Sequence, residues 1–154
     1  MASDDVETVD RGARRVARSV LVAAPASELF DQLADPRRHG DVDGSGTVVG
    51  SVSGPDRLAL GDKFSVSMRM YGFPYRITST VTAFEDGRLI EWRHPFGHRW
   101  RWEFDEQAPG QTRVTEVFDY STARIAKSLE LTGFPAKNAE GITETLSTMQ
   151  SRYR

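Results

Sequence analysis

The side chains best suited to moving protons in this sequence are Glu116, His94 and His98. Between Thr112 and Ser121, Val114, Glu116, Phe118 and Tyr120 alternate with Arg113, Thr115, Val117 and Asp119. Glu116 therefore falls on an otherwise apolar face. A carboxyl there loses hydration in its charged form, so its pKa rises and it becomes a general acid or base. The plainer reading is favoured, a carboxylate at a cavity mouth or paired with a basic group across the sheet. His94 and His98 flank Pro95-Phe96-Gly97. A three-residue turn at that point makes the two histidines direct neighbours on the inward face, with Tyr120 beside His98. Imidazole titrates near neutrality, so one of them could carry a proton; two polar groups at a cavity rim is again the plainer reading. The pair lacks a third metal ligand, and H-x-x-x-H reads as a zinc pair only on a helix. No metal and no cofactor is expected. Asp41, Asp43 and Ser45 lie in a glycine-spaced loop without the further acidic ligand of a calcium site, so a turn is expected. The chain has no cysteine, and it shows no nucleophile with an adjacent base, phosphate-cradling loop or nucleotide fingerprint.

A larger set of residues is suited to contact rather than catalysis: Met68, Met70, Tyr75, Ser79, Trp92, Trp100, Trp102, Phe118 and Tyr120. Aromatic walls with a few polar groups are usual in ligand sites, and aromatics are equally the natural filler between a sheet and a helix. The elements that position them follow from alternation. Phe64, Val66, Met68 and Met70 alternate with polar residues, as do Tyr75, Ile77, Ser79 and Val81 after Gly72-Phe73. A two-residue turn at Gly72-Phe73 would set Met70 opposite Tyr75, Met68 opposite Ile77 and Phe64 opposite Val81. The next hairpin sets Trp92 opposite Trp100 and Ile90 opposite Trp102, with Glu91 against Arg101 on the reverse side. Each strand has one apolar face and one polar face, as an antiparallel sheet with one wet side requires.

The dry face needs a cover. Ile142, Leu146, Met149 and Tyr153 recur at helical spacing between about Pro135 and Arg154, which predicts a long amphipathic C-terminal helix. Gly133 separates it from a shorter helical piece around Ile125 to Leu131. Near the N-terminus, Arg14 to Val22 reads as a strand. Pro25 suits a first helical position, Leu29, Phe30 and Leu33 share a face, and Asp35-Pro36 ends that helix. A short strand is expected at Thr47–Ser53. Residues 1–12 read as a loose acidic tail and 13–154 as one domain.

Composition sets the outer limits. At 154 residues, with 38% hydrophobic and 27% charged residues, the chain is of ordinary domain size and globular in type. A formal net charge of −2 gives no positive field for phosphate backbones, so no nucleic acid partner is expected. No apolar run reaches the roughly 18 residues of a membrane span, and the N-terminus lacks the apolar core of a signal peptide. A cytoplasmic protein without integral membrane segments is the expectation, and a homodimer is compatible with it.

The order of elements, strand, short helices, about six antiparallel strands and a long helix, resembles the START-like, or SRPBCC, superfamily. Val20-Leu21-Val22-Ala23-Ala24-Pro25-Ala26-Ser27-Glu28-Leu29-Phe30 resembles the first strand-to-helix junction of its polyketide cyclase/dehydrase and lipid-transport branch. Thr112 to Tyr120 resembles the final strand, and Leu131-Thr132-Gly133-Phe134-Pro135 the entry to the last helix in actinobacterial members. The resemblance spans roughly Val16 to Tyr153. It implies an α+β helix-grip fold, a curved antiparallel sheet of about seven strands around the C-terminal helix, with an internal cavity between them. Ile142, Leu146 and Met149 would line it from the helix side. The glycine-rich loop of the birch-pollen-allergen branch is not evident.

Superfamily members include lipid carriers, aromatic polyketide cyclases, plant hormone and alkaloid proteins and chaperone-binding modules, and fold does not choose among such roles. Three functions follow, in order of preference. The first is binding of a small hydrophobic or aromatic, lipid- or polyketide-like ligand. The second is a cyclase, dehydratase or aromatase using Glu116, His94 or His98, which requires two of these groups to converge. The third is a partner-binding module using an outer face that bears Arg69, Arg76, Arg99 and Arg101.

Overall fold

The computed structural model describes residues 5–39, 48–70 and 72–153, the stretches 48–51 and 68–70 by their backbone alone. Chain order runs β1 (Glu7–Asp10), β2 (Arg15–Val22), α1 (Ala26–Ala34), a 3-10 turn (Pro36–Arg38) and β3 (Val48–Ser53). It continues with β4 (Lys63–Met70), β5 (Phe73–Glu85), β6 (Leu89–Arg93), β7 (Arg99–Ala108), β8 (Gln111–Asp119), α2 (Ala126–Leu131) and α3 (Phe134–Arg152). The strands make one open antiparallel sheet in the order β1-β2-β8-β7-β6-β5-β4-β3. With the long C-terminal helix this is the α+β, helix-grip architecture that the alternation and the resemblance predict.

Two details differ from the expectation. The sheet has eight strands rather than about seven, because Glu7–Asp10, read as part of a loose tail, pairs with β2 from Glu7↔Ser19 to Asp10↔Val16. Backbone pairing needs no large apolar side chain, which is why composition hid it. In the β4–β5 hairpin the register is shifted by two residues: Met68 lies opposite Tyr75, Met70 opposite Phe73 and Phe64 opposite Ser79. A shift of two preserves which side chains share a face, so the inward set is unchanged. The β6–β7 hairpin has the expected register, with Trp92↔Trp100 and Ile90↔Trp102.

Two helices cover the concave side. Pro25 is the cap of α1 rather than its first residue, and Leu29, Phe30 and Leu33 point inward with 2% exposure or less. The helix stops at Asp35, since a residue preceding proline is driven out of helical angles. The Asp35 carboxylate then accepts from the Arg37 amide at 3.0 Å to start the 3-10 turn. Phe30 meets Phe84 and Phe104 edge-on, which seats α1 over β6 and β7. Gly133, in the left-handed region at φ 75°, breaks the chain between α2 and α3. Helix α3 lies across β2 and β8, burying Ile142, Thr145, Leu146 and Met149 on one stripe. The Tyr153 hydroxyl, just past its end, accepts from Gln32 of α1. No helix among the described residues is long and apolar enough to cross a membrane.

The outer face is polar and cross-linked. Glu91, only 7% exposed, accepts from Thr82 at 2.9 Å and from Arg101 at 3.4 Å, the expected cross-strand pair, and lies 3.7 Å from Arg99. Arg101 also holds Glu103 at 2.7 Å, and Arg11 grips Glu103 through both guanidinium nitrogens. Arg11 and Arg101 together hold the Glu103 carboxyl below its ordinary range. Arg76 donates to Ser67 and Ser53. Arg76, Arg99 and Arg101, expected as contact points for a partner, are thus engaged by their own sheet; the Arg69 side chain is outside the described residues.

Candidate ligand-binding site

The residues expected to line a cavity divide by exposure. Trp102 (2%), Phe118 (0%), Ile142 (2%), Leu146 (0%) and Met149 (0%) are sealed in the core. Tyr120 and Ser79 are nearly as deep, at 6% each. Tyr75, Ile77, Trp92 and Trp100 remain half-buried. A side chain with no exposed surface offers nothing to a ligand without rearrangement. Of the residues expected to line a cavity, the accessible ones are therefore Tyr75, Trp92 and Trp100, while Met68 and Met70 have side chains outside the described residues.

Trp92 and Trp100 face each other across β6 and β7. Each is backed by other rings. His39, from the end of the 3-10 turn, stacks on Trp92 at 4.9 Å and anchors its Nε2 on the Leu33 carbonyl at 2.8 Å. Phe64 meets both rings edge-on. Trp100 leans on Phe118, which in turn contacts Phe134 at the start of α3. His39 and Phe134 are absent from the residues singled out by sequence. His39 follows a proline-ended helix with no periodicity to mark its direction, and Phe134 immediately precedes the proline taken as the helix start.

The histidines meet as expected. The His94 amide donates to the His98 carbonyl at 2.8 Å, and the two rings stack at 4.1 Å. The amide of Phe96 donates to His94 Nδ1 at 3.1 Å, so the neutral form of His94 carries its proton on Nε2. Burial pushes the His94 pKa down. Burial, reinforced by the neighbouring His94, pushes His98 down to about 3. Both rings are therefore neutral at neutral pH. They touch aromatics on every side: Phe96 against His94, and Phe118 and Phe134 against His98. Among the described residues no group of three or more His, Asp or Glu is placed to hold a metal ion.

Glu116 is buried at 7% exposure, opposite Trp102 on β7 and opposite Arg18 on β2. Arg18 reads in sequence as part of a surface basic cluster with Arg14 and Arg15. It is instead half-buried, at the register position on the inward face next to the carboxylate. His98 lies four residues from Trp102 along β7, a separation of about 13 Å at ~3.3 Å per residue. The histidine pair converges, and Glu116 stands apart from it on β8. Tyr120 stacks on Phe118, and its hydroxyl donates to Glu130 of α2 at 3.2 Å. Asp41, Asp43 and Ser45 lie outside the described residues.

Two depressions lie elsewhere. One of about 310 Å³ sits on the outer face among Arg11, Arg15, Glu91, Arg101, Val117 and Asp119. The other, about 380 Å³, is bounded by Asp5, Glu7, Leu21, Arg113 and Gln150. Both are polar, and in the first the arginines already face carboxylates.

Comparison with known proteins places this arrangement in a family. The protein Rv0088 of Mycobacterium tuberculosis H37Rv is 54% identical over 152 residues, covering 96% of this chain and 68% of its own length. A crystal structure of Ms6760 from Mycobacterium smegmatis superposes with TM-score 0.65 at 19% identity, covering 95% of this chain and 99% of that one. The solution structure of the Polyketide_cyc-like protein Cgl2372 from Corynebacterium glutamicum gives 0.63 at 18% identity, covering 92% and 91%. These two share the fold. Residues 13–154 match the family described as polyketide cyclase/dehydrase and lipid transport, and the chain belongs to that family.

Proposed function

We propose that this protein binds a small hydrophobic or aromatic molecule against the open part of its concave face, between α3 and strands β4–β7. The observation that carries this reading is the half-buried pair Trp92 and Trp100, held in register and backed by His39, Phe64 and Phe118. A fully buried tryptophan contributes 150–250 Å² of surface, and each of these leaves up to about a third of that, roughly 50–90 Å², for a ligand to cover, worth about 1–2 kcal/mol. Tyr75 and Ile77 extend the same wall. The neutral His94–His98 stack supplies a polar end that neither repels an apolar guest nor demands a charged one. Membership in a family named for polyketide cyclisation and lipid transport supports the same ligand chemistry.

An acid–base enzyme built on Glu116 with either histidine is disfavoured by their separation along β7. A catalytic reading would rest on the histidine pair alone.

The test is native mass spectrometry of freshly purified protein against the same sample denatured. Extra mass that disappears on unfolding identifies a bound small molecule, and its formula gives the class. Titration of an apolar aromatic probe should weaken about tenfold or more in Trp92→Ala and in Trp100→Ala. Unchanged affinity in both variants would rule this surface out as the site.

A further inference from the structure

Six large hydrophobic side chains are exposed among the described residues: Leu21, Leu60, Phe73, Phe96, Ile125 and Leu131. Single exposed apolar residues need no explanation, but the placement of these does. Because the sheet is antiparallel, the β4–β5 turn, the β6–β7 turn, the exit of β8 and the entry to α3 all lie at one end of the strands. Phe73 (75% exposed), Phe96 (57%), Ile125 (44%) and Leu131 (88%) are the four that sit there. Phe96 and Ile125 are tied to the same patch, since the Arg124 amide donates to the Phe96 carbonyl at 3.3 Å.

The charges at this end lean basic. Arg93, Arg124, Lys127 and Lys137 are exposed and form no ion pair among the described residues. Of the nearby acids among the described residues, Glu130 is held by Arg14 and Asp119 by Arg15, both at 3.2 Å, while Glu140, one turn after Lys137 on α3, is exposed. At the opposite end the β5–β6 turn and the end of β7 carry Glu85, Asp86, Asp105 and Glu106 beside Arg88, and α1 carries Glu28 and Asp31; Asp31 and Asp86 are both paired with Arg57. Among the described residues of a chain of net charge −2, four cations outside any ion pair thus gather at the end that carries these apolar side chains. Tyr75, His94, His98 and Phe134 lie at the same end, each within two residues of an exposed apolar residue or of Gly133.

We infer that this end docks on an anionic lipid surface, with Phe73, Phe96, Ile125 and Leu131 entering the interface and Arg93, Arg124, Lys127 and Lys137 meeting the headgroups. Large apolar side chains at loop tips gain by burial at the headgroup boundary, and basic residues beside them add attraction to acidic lipids. The inference goes beyond ligand binding, because it states the direction from which an apolar ligand reaches the tryptophan wall. An entrance on the docking face would let such a ligand pass between bilayer and protein without crossing water.

Vesicle flotation tests it, using phosphatidylcholine vesicles with and without phosphatidylglycerol. The expected result is binding to the phosphatidylglycerol vesicles that is at least about tenfold stronger than to phosphatidylcholine alone and is weakened by salt. The Phe73→Ser/Leu131→Ser double variant should lose it, and Lys127→Glu/Lys137→Glu should lose the preference for phosphatidylglycerol. All four positions are exposed, and circular dichroism with a thermal melt confirms that each variant is folded. Folded wild-type protein that ignores phosphatidylglycerol vesicles, or flotation unchanged in both double variants, overturns the inference. Uptake of a soluble aromatic probe without vesicles tests the ligand site separately. Protein that takes up the probe and ignores vesicles refutes docking alone; protein that docks and takes up no probe refutes the ligand reading alone.

Discussion

His98 sits 5% exposed among aromatic rings, with its Nδ1 atom buried and without a hydrogen-bond partner. The folded protein holds this ring neutral down to about pH 3, because burial and the stacked His94 both oppose a positive charge. The unfolded chain takes up that proton near the ordinary histidine value of about 6.5. Stability from this group is therefore complete above about pH 6.5 and falls as pH drops towards 3, where the unfolded state binds the extra proton. By about pH 5 the loss reaches at most about 2 kcal/mol, at 1.36 kcal/mol per unit. His94, also pushed down by burial, adds in the same direction. Glu103, held low chiefly by Arg11, loses its contribution only below the ordinary carboxylate range, so the interval between about pH 5 and 6.5 isolates the histidines. Urea unfolding at both ends of that interval should show the slope, and His98→Gln should flatten it. A slope unchanged in the variant would assign the effect to other groups.

At the scale of elements, the β6–β7 turn is the most tightly specified connection near the site. Gly97 has φ 99°, and a Cβ added there would lie 2.8 Å from the Thr122 carbonyl oxygen. Thr122 in turn donates its hydroxyl to the Gly97 carbonyl at 2.7 Å, locking the turn to the segment that leads into α2. Gly97→Ala is expected to destabilise by roughly 2–4 kcal/mol, from left-handed backbone strain added to a clash with main chain. Thermal denaturation would measure it, and a change below about 0.5 kcal/mol would mean that the turn relocates freely. This hairpin was legible in the sequence because five side chains on each arm alternate without interruption, so the tryptophan pair and the Glu91–Arg101 pair both point to one register. The β4–β5 hairpin was legible in its faces only. Gly72-Phe73 offered an obvious two-residue turn, whereas Phe73 and Pro74 belong to β5, opposite Met70 and Arg69. Strand β1 left no trace, since Glu7–Asp10 alternates nothing apolar and contributes backbone hydrogen bonds to β2.

Across the whole molecule, sequence reveals which side chains face inward far better than which of them a ligand can reach. Trp102 and Trp100 share the inward face of β7, yet Trp102 is sealed at 2% exposure while Trp100 remains half-buried, a difference that alternation does not encode. Glu116 shows the same limit. Its inward direction follows from alternation, but its neighbour Arg18 follows from the pairing of β2 with β8, strands nearly a hundred residues apart in the chain. The distribution of all three tryptophans along two adjoining strands has an optical consequence. Trp102, sealed at 2% exposure, provides a constant emission, whereas Trp92 and Trp100 emit from a half-wet surface. A guest settling on that wall dries two of the three fluorophores together, so the emission maximum should move to shorter wavelength in proportion to occupancy. Events confined to the outer arginines should leave the spectrum alone. The protein thus reports its own loading without a label, and a saturable blue shift in wild type that is halved in Trp92→Phe would read out occupancy at the wall directly.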